Sequence, residues 1–251
     1  MTIAIRKWAS KSFWRTGLSV LMFPMLLLHT GCNNTEAQDG ERRWVMIFLD
    51  MSLSTLPDRD NYQKYLQSIV AKLHPGDRLT VCKIIDLTIA DFAPIYDATL
   101  PSFNFWTDNR TQYDRHTRGI TAEILTTVDS VLQTKPRIQK AEIINSFLIC
   151  DQLMRGKRLK KSLVIISDMQ ESTDEFDFRT DNMNAAYVNR ALETLKNKGR
   201  IPKLDDVEVW IAGAYSKETE RYFIINDFWS RYITASGAEL KSYSHTLLDF
   251  E

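Results

Sequence analysis

Apolar residues in this chain fall into two rhythms, short unbroken runs and longer stripes at three- and four-residue spacing. Val45–Leu49 is such a run, and it predicts a buried strand over 43–50. Tyr62, Tyr65, Leu66, Ile69, Val70 and Leu73 form one face of a helix over 60–73, stopped by Pro75-Gly76. A strand follows over 77–86, then an edge strand over 91–96, where Pro94 confines it to the edge. Residues 99–118 show no period and read as a loop. Helices are predicted over 120–132 and 139–154, separated by Thr134-Lys135-Pro136. The run Ser162–Asp168 is a second buried strand. After it come a helix over 184–198 ended by Gly199, a strand over 207–213, a helix over 218–234 and a short strand over 239–243. Strands alternating with helices predict an α/β fold, a mostly parallel central sheet with helices on both faces.

The two buried strands both end in carboxylates. Val45–Leu49 leads into Asp50-x-Ser52-x-Ser54, and Ser162–Ile166 leads into Ser167-Asp168. Asp50, Ser52, Ser54 and Asp168 offer only oxygen donors, which suit a hard divalent cation. Ligands of open α/β sheets bind just beyond the carboxyl ends of the strands. The competing reading is that Asp and Ser merely cap the turn that follows.

Asp50-x-Ser52-x-Ser54 after the first strand, with Asp168 after a later one, resembles the metal-ion-dependent adhesion site of the von Willebrand factor A family. The resemblance covers about residues 43–240 in order of elements. It implies a single Rossmann-like domain over 43–251 that holds Mg2+ or Mn2+ at those four residues. One coordination position would then stay open for a carboxylate of a protein or peptide ligand. Two positions depart from the family pattern: Met169 stands where Gly usually follows the Asp, and Ala141 stands where the family has Thr. Glu142, beside Ala141, is a candidate for the missing oxygen. The acidic stretch 170–180 makes Glu171 a candidate for the ligand rim. Phe105 and Trp106, in an aromatic loop that also holds Arg110, are candidate ligand contacts.

The beginning of the chain adds a location. Residues 1–31 carry Arg6, Lys7, Lys11 and Arg15, no acid, and an apolar stretch over 17–28 too short to span a bilayer comfortably. Thr30-Gly31-Cys32 at its end resembles a bacterial lipoprotein signal, which implies cleavage before Cys32 and acylation of its thiol. Residues 32–42 then read as the lipidated Cys and a polar tether. The expected location is the cell envelope, on a membrane held by the acyl chains.

Charge and chemistry narrow the function. The 251 residues hold 32 bases and 32 acids. Without the four bases of the leader, 28 bases face 32 acids, and no clustered basic face for nucleic acid is evident. The run Arg155–Lys161 reads as a solvated helix end, with anionic headgroups as its alternative partner. Cys82 and Cys150 are too few for a disulfide framework and read as buried thiols. No phosphate loop or zinc spacing occurs. Of His29, His74, His116 and His245, none is expected at a strand end, so Ser52 and Ser54 lack a base. The expectation is a binding module rather than an enzyme. A metal-dependent hydrolase using the same carboxylates, and a metal-free scaffold, are the alternatives.

Overall fold

The structure is a computed structural model, and it describes residues 42–84, 92–104, 106–135, 140–247 and 249–250. The leader, Cys32, the tether and Phe105 lie outside the described residues, as do the predicted strand positions 85, 86 and 91 and the predicted helix start at 139. Six strands form one sheet: β1 (Arg43–Asp50), β2 (Arg78–Ile84), β3 (Tyr96–Thr99), β4 (Lys160–Ile166), β5 (Val207–Ala212) and β6 (Glu239–Tyr243). Their order is β3-β2-β1-β4-β5-β6, parallel throughout except for β3 at one edge.

β1 has neighbours on both sides and all eight of its residues are buried, which is why it carries an unbroken apolar run. Its side chains alternate between two cores. Val45, Ile47 and Leu49 pack with α1 (Arg59–Ala71) and α2 (Arg110–Leu132). Trp44, Met46 and Phe48 pack with α3 (Ile143–Met154), α4 (Ala185–Asn197) and α5 (Thr219–Ala235). Helices therefore cover both faces, as the pattern predicts. No helix among the described residues is long and apolar enough to cross a membrane.

Three element boundaries differ from the sequence reading. The edge strand lies at Tyr96–Thr99 rather than 91–96, because Pro94 has no N–H and Asp97 supplies the anchor. Asp97 accepts from the Arg78 guanidinium at 2.9 and 2.6 Å and from the Thr80 hydroxyl at 2.8 Å. Helix α2 begins at Arg110, inside the predicted loop. The Asn109 side chain caps it by accepting from the N–H of Thr111 at 2.9 Å and of Gln112 at 3.3 Å. Helix α3 begins at Ile143, so Ala141 precedes it, with its carbonyl accepting from the Ser172 N–H at 2.9 Å.

Candidate metal centre

Parallel pairing of β1 with β4 sets Leu49 beside Ile166, so the two strands end side by side and Asp50 and Asp168 emerge at the same edge. Asp50 is fully buried. One carboxylate oxygen accepts from the Ser52 N–H at 2.9 Å and the other from the Ser167 hydroxyl at 2.6 Å. The Ser52 and Ser54 hydroxyls lie 3.0 Å apart. Thr55 fastens the turn, its hydroxyl lying 2.9 Å from the Asp50 carbonyl and 3.1 Å from that of Ser52. Asp168 is also buried, accepts from the Gln170 N–H at 3.0 Å, and has the Ser54 side chain near enough to favour its ionised form. The four oxygen-bearing side chains named from the sequence are thus brought together.

The departure at Met169 has a backbone explanation. Met169 takes φ +64°, the left-handed conformation that favours glycine. Its N–H donates to the Ser167 hydroxyl at 3.0 Å and its carbonyl accepts from the Trp229 indole N–H at 2.8 Å. Full burial of the Met side chain in the core offsets a conformational cost of about 1 kcal/mol. Ala141 is buried in the same core and offers no side-chain oxygen.

Burial raises the pKa of Asp50, against the pull of the Ser167 and Ser52 hydrogen bonds. Burial, and then the neighbouring Asp50 charge, push Asp168 up to about 7. Arg179 pulls both the other way. Two adjacent carboxylates withdrawn from water are the arrangement that a bound cation stabilises. With the hydroxyls of Ser52 and Ser54 they make a donor set that fits Mg2+ or Mn2+. Among the described residues no group of three His, Cys, Asp or Glu converges, so the charge in any shell here comes from this pair.

Above the pair opens a cavity of about 760 Å3, with Ser54, Asp168, Gln170, Arg179, Tyr215 and His245 in its wall. His245 is the residue the sequence reading missed. It follows β6 by two residues, and β6 runs parallel to its neighbour β5, so it reaches the same edge as Asp50. It lines the cavity together with Ser54, contrary to the expectation that no His lies at a strand end.

The candidate ligand contacts separate. Glu171 is fully buried and faces away from the rim; one oxygen accepts from the Ile144 N–H at 3.0 Å, at the start of α3. Its apolar setting lifts the carboxyl to about 8. Glu142 is half-buried and accepts from the Asn145 side-chain amide. Trp106 is 90% exposed but does not line the cavity, while Phe103 and Tyr113 tuck against each other beneath Arg110. Most acids of 170–180 are in ion pairs, Asp174 with Lys140, Glu175 with Lys198 and Arg200, and Asp177 with Arg179. Cys82 and Cys150 are buried free thiols.

No family model matches the sequence, and no curated protein matches it. Solved structures with a similar overall path include an aerotolerance-related membrane protein from Bacteroides fragilis carrying multiple mutations to serines. It is 11% identical, with 80% of this chain and 91% of that chain covered, at a TM-score of 0.38. The pilus adhesin SpaC from Lactobacillus rhamnosus GG, in an open conformation, is 8% identical, covering 81% of this chain and 28% of the other, at 0.41. A von Willebrand factor type A structure from Catenulispora acidiphila is 8% identical, covering 78% and 43%, at 0.32. The strand order and the helices on both faces, rather than these scores, show a doubly wound, mostly parallel α/β fold.

Proposed function

We propose that this von Willebrand factor A-like domain binds a protein or peptide ligand through a divalent cation held by Asp50, Ser52, Ser54 and Asp168. One observation carries the reading: two adjacent buried carboxylates, one pushed up to about 7, sit with serine hydroxyls beside an open cavity. Bound Mg2+ or Mn2+ would neutralise the pair and offer a position to a ligand carboxylate. The protein's own part is to hold the donors still. Ser167 and the Ser52 N–H fix both oxygens of Asp50, and Thr55 clamps the turn between Asp50 and Ser54. We place the chain in the bacterial cell envelope, lipid-anchored through Cys32, on the order of residues in its leader.

Calorimetric titration of Mg2+ and Mn2+ into the chain from residue 32, with Cys32→Ser, tests the metal reading. The wild-type site binds weakly but measurably, and Asp50→Ala abolishes binding. Equal failure of both forms would leave a metal-free scaffold. The placement of His245 and Ser54 in one cavity favours a second reading, a metal-dependent hydrolase. Metal-dependent turnover of a phosphoester or peptide, lost in Asp50→Asn, would establish that reading in place of the first.

A further inference from the structure

The opposite edge of the sheet carries a second cavity, of about 340 Å3, whose charged lining is entirely basic. Arg42, Arg43, Arg78, Lys157 and Arg158 line it, and no acidic residue does. The topology gathers them. Parallel β1, β2 and β4 all begin at this edge, and the antiparallel β3 ends there. The Lys160 N–H donates to the Arg42 carbonyl at 3.1 Å, which fastens the start of β1 to the turn before β4. That turn passes through Gly156 at φ +71°. Arg42 stretches over Gly76, its side chain 3.5–3.6 Å from where a Cβ would stand.

Arg43 and Arg78 are committed within the fold. Arg43 is buried and lies 3.5 Å from Asp77, and Arg78 stacks on Trp44 and pairs with Asp97. Lys157 and Arg158 are exposed and have no acidic partner among the described residues. A concave site with this lining takes a phosphate-type anion.

We infer that this edge is a membrane-docking face that receives the phosphate groups of anionic lipids. The inference rests on the lipid anchor proposed above. Nine residues separate Cys32 from Arg42, ten Cα-to-Cα steps with a reach of at most about 35 Å, and Arg42 is itself in the wall of the cavity. An acyl anchor at Cys32 therefore brings this edge, where the tether joins the domain, within reach of the bilayer. Basic side chains within a Debye length of an anionic surface are attracted to it. Asp50 lies at the far end of the same strand, about 25 Å away at the rise of a β-strand. Docking by the basic edge turns the metal centre and its cavity away from the membrane, towards soluble partners.

The test uses the chain from residue 32 with Cys32→Ser, so that no acyl chain contributes, and vesicles of phosphatidylcholine with or without 30% phosphatidylglycerol. The chain co-sediments with the anionic vesicles, not with the neutral ones, and 0.5 M NaCl releases it. Lys157→Glu with Arg158→Glu lowers binding at least tenfold, and Lys157→Ala with Arg158→Ala lowers it less; circular dichroism reports whether each variant is folded. Equal binding to both vesicles, or full binding by the folded double-Glu variant, would overturn the proposal. So would displacement by inorganic phosphate at constant ionic strength, which would mark a site for free phosphate, or tighter binding to duplex DNA. Acyl labelling of the full chain, with and without Cys32→Ser, reports separately on the anchor. Its failure alongside retained vesicle binding would remove the anchor and leave the docking face.

Discussion

Replacing Glu171 by Gln separates a buried cap from a surface carboxylate. The residue at the N-cap position of α3, Glu142, makes no side-chain cap, and Glu171 takes over that role from a distant loop through the Ile144 N–H. The other Glu171 oxygen is buried with no partner among the described residues. Burial is the main cause that lifts this carboxyl from 4.5 to about 8, against the helix N–H groups and Arg200. Between those two values the folded chain holds a proton that the unfolded chain has lost. Stability therefore falls as pH rises through this window. At 1.36 kcal/mol per pH unit the gap bounds the loss at about 5 kcal/mol. Gln keeps the acceptor for Ile144 and cannot ionise. At pH 5.5, one unit into this window, Glu171→Gln should already gain about 1.4 kcal/mol on the wild type, less any difference of about 1 kcal/mol in the single hydrogen bond to Ile144. At pH 9 it should be the more stable form by several kcal/mol. Urea unfolding followed by circular dichroism at pH 5.5, 7 and 9, in EDTA, measures the difference. A wild-type-minus-variant difference that stays constant over that range would refute the reasoning.

Two further substitutions probe what holds the metal-site turn. Arg59 donates to the Leu132 and Thr134 carbonyls at 2.6 and 2.5 Å and to the Met51 carbonyl at 3.3 Å, joining the turn to the end of α2. Arg59→Ala should cost about 3 kcal/mol in urea, and Arg59→Lys should not restore it, because one ammonium lacks the planar fork. Gly213 takes φ +88°, and an added Cβ would stand 3.1 Å from the Ser167 carbonyl and 3.2 Å from the Tyr62 ring. Gly213→Ala should lower stability by about 1–3 kcal/mol and weaken Mg2+ binding through Ser167, and a variant unchanged in both titrations would contradict this.

What was legible in the sequence was what a single element decides locally. Buried central strands cannot be polar on either side, so β1 and β4 appeared as apolar runs with their terminal Asp in place. The stripes of α1, α4 and α5 face a core, and their periods fixed those helices to within a residue or two at each end. The first turns of α2 were missed because Arg110–Gly119 buries no residue fully and so has no stripe. Asn109, a good N-cap residue, was the available signal. Glu171 was misplaced for a different reason. Nothing local distinguishes a carboxylate that caps a helix 27 residues upstream from its solvated neighbours in the same loop. The reach of His245 into the cavity likewise depends on β6 pairing parallel with β5.

The separation of charge between the two edges follows from the same topology. Arg42 and Arg43 precede or open β1, and Asp50 closes it; Lys160 and Lys161 open β4, and Asp168 follows it. In an antiparallel sheet such flanks would alternate between edges and cancel. In a parallel one the flanks of β1 and β4 fall at the same edges, which gathers Asp50 and Asp168 at one and Arg42, Arg43, Lys160 and Lys161 at the other. Helices that return between parallel strands point their N-termini at the carboxyl edge, as α1 does after β1 and as α3 does where Glu171 caps it. The positive ends of those helix dipoles favour the carboxylates that the strands deliver there. The proposed docking face and the proposed metal centre lie at opposite ends of β1, so on those readings one eight-residue strand would set the distance between them.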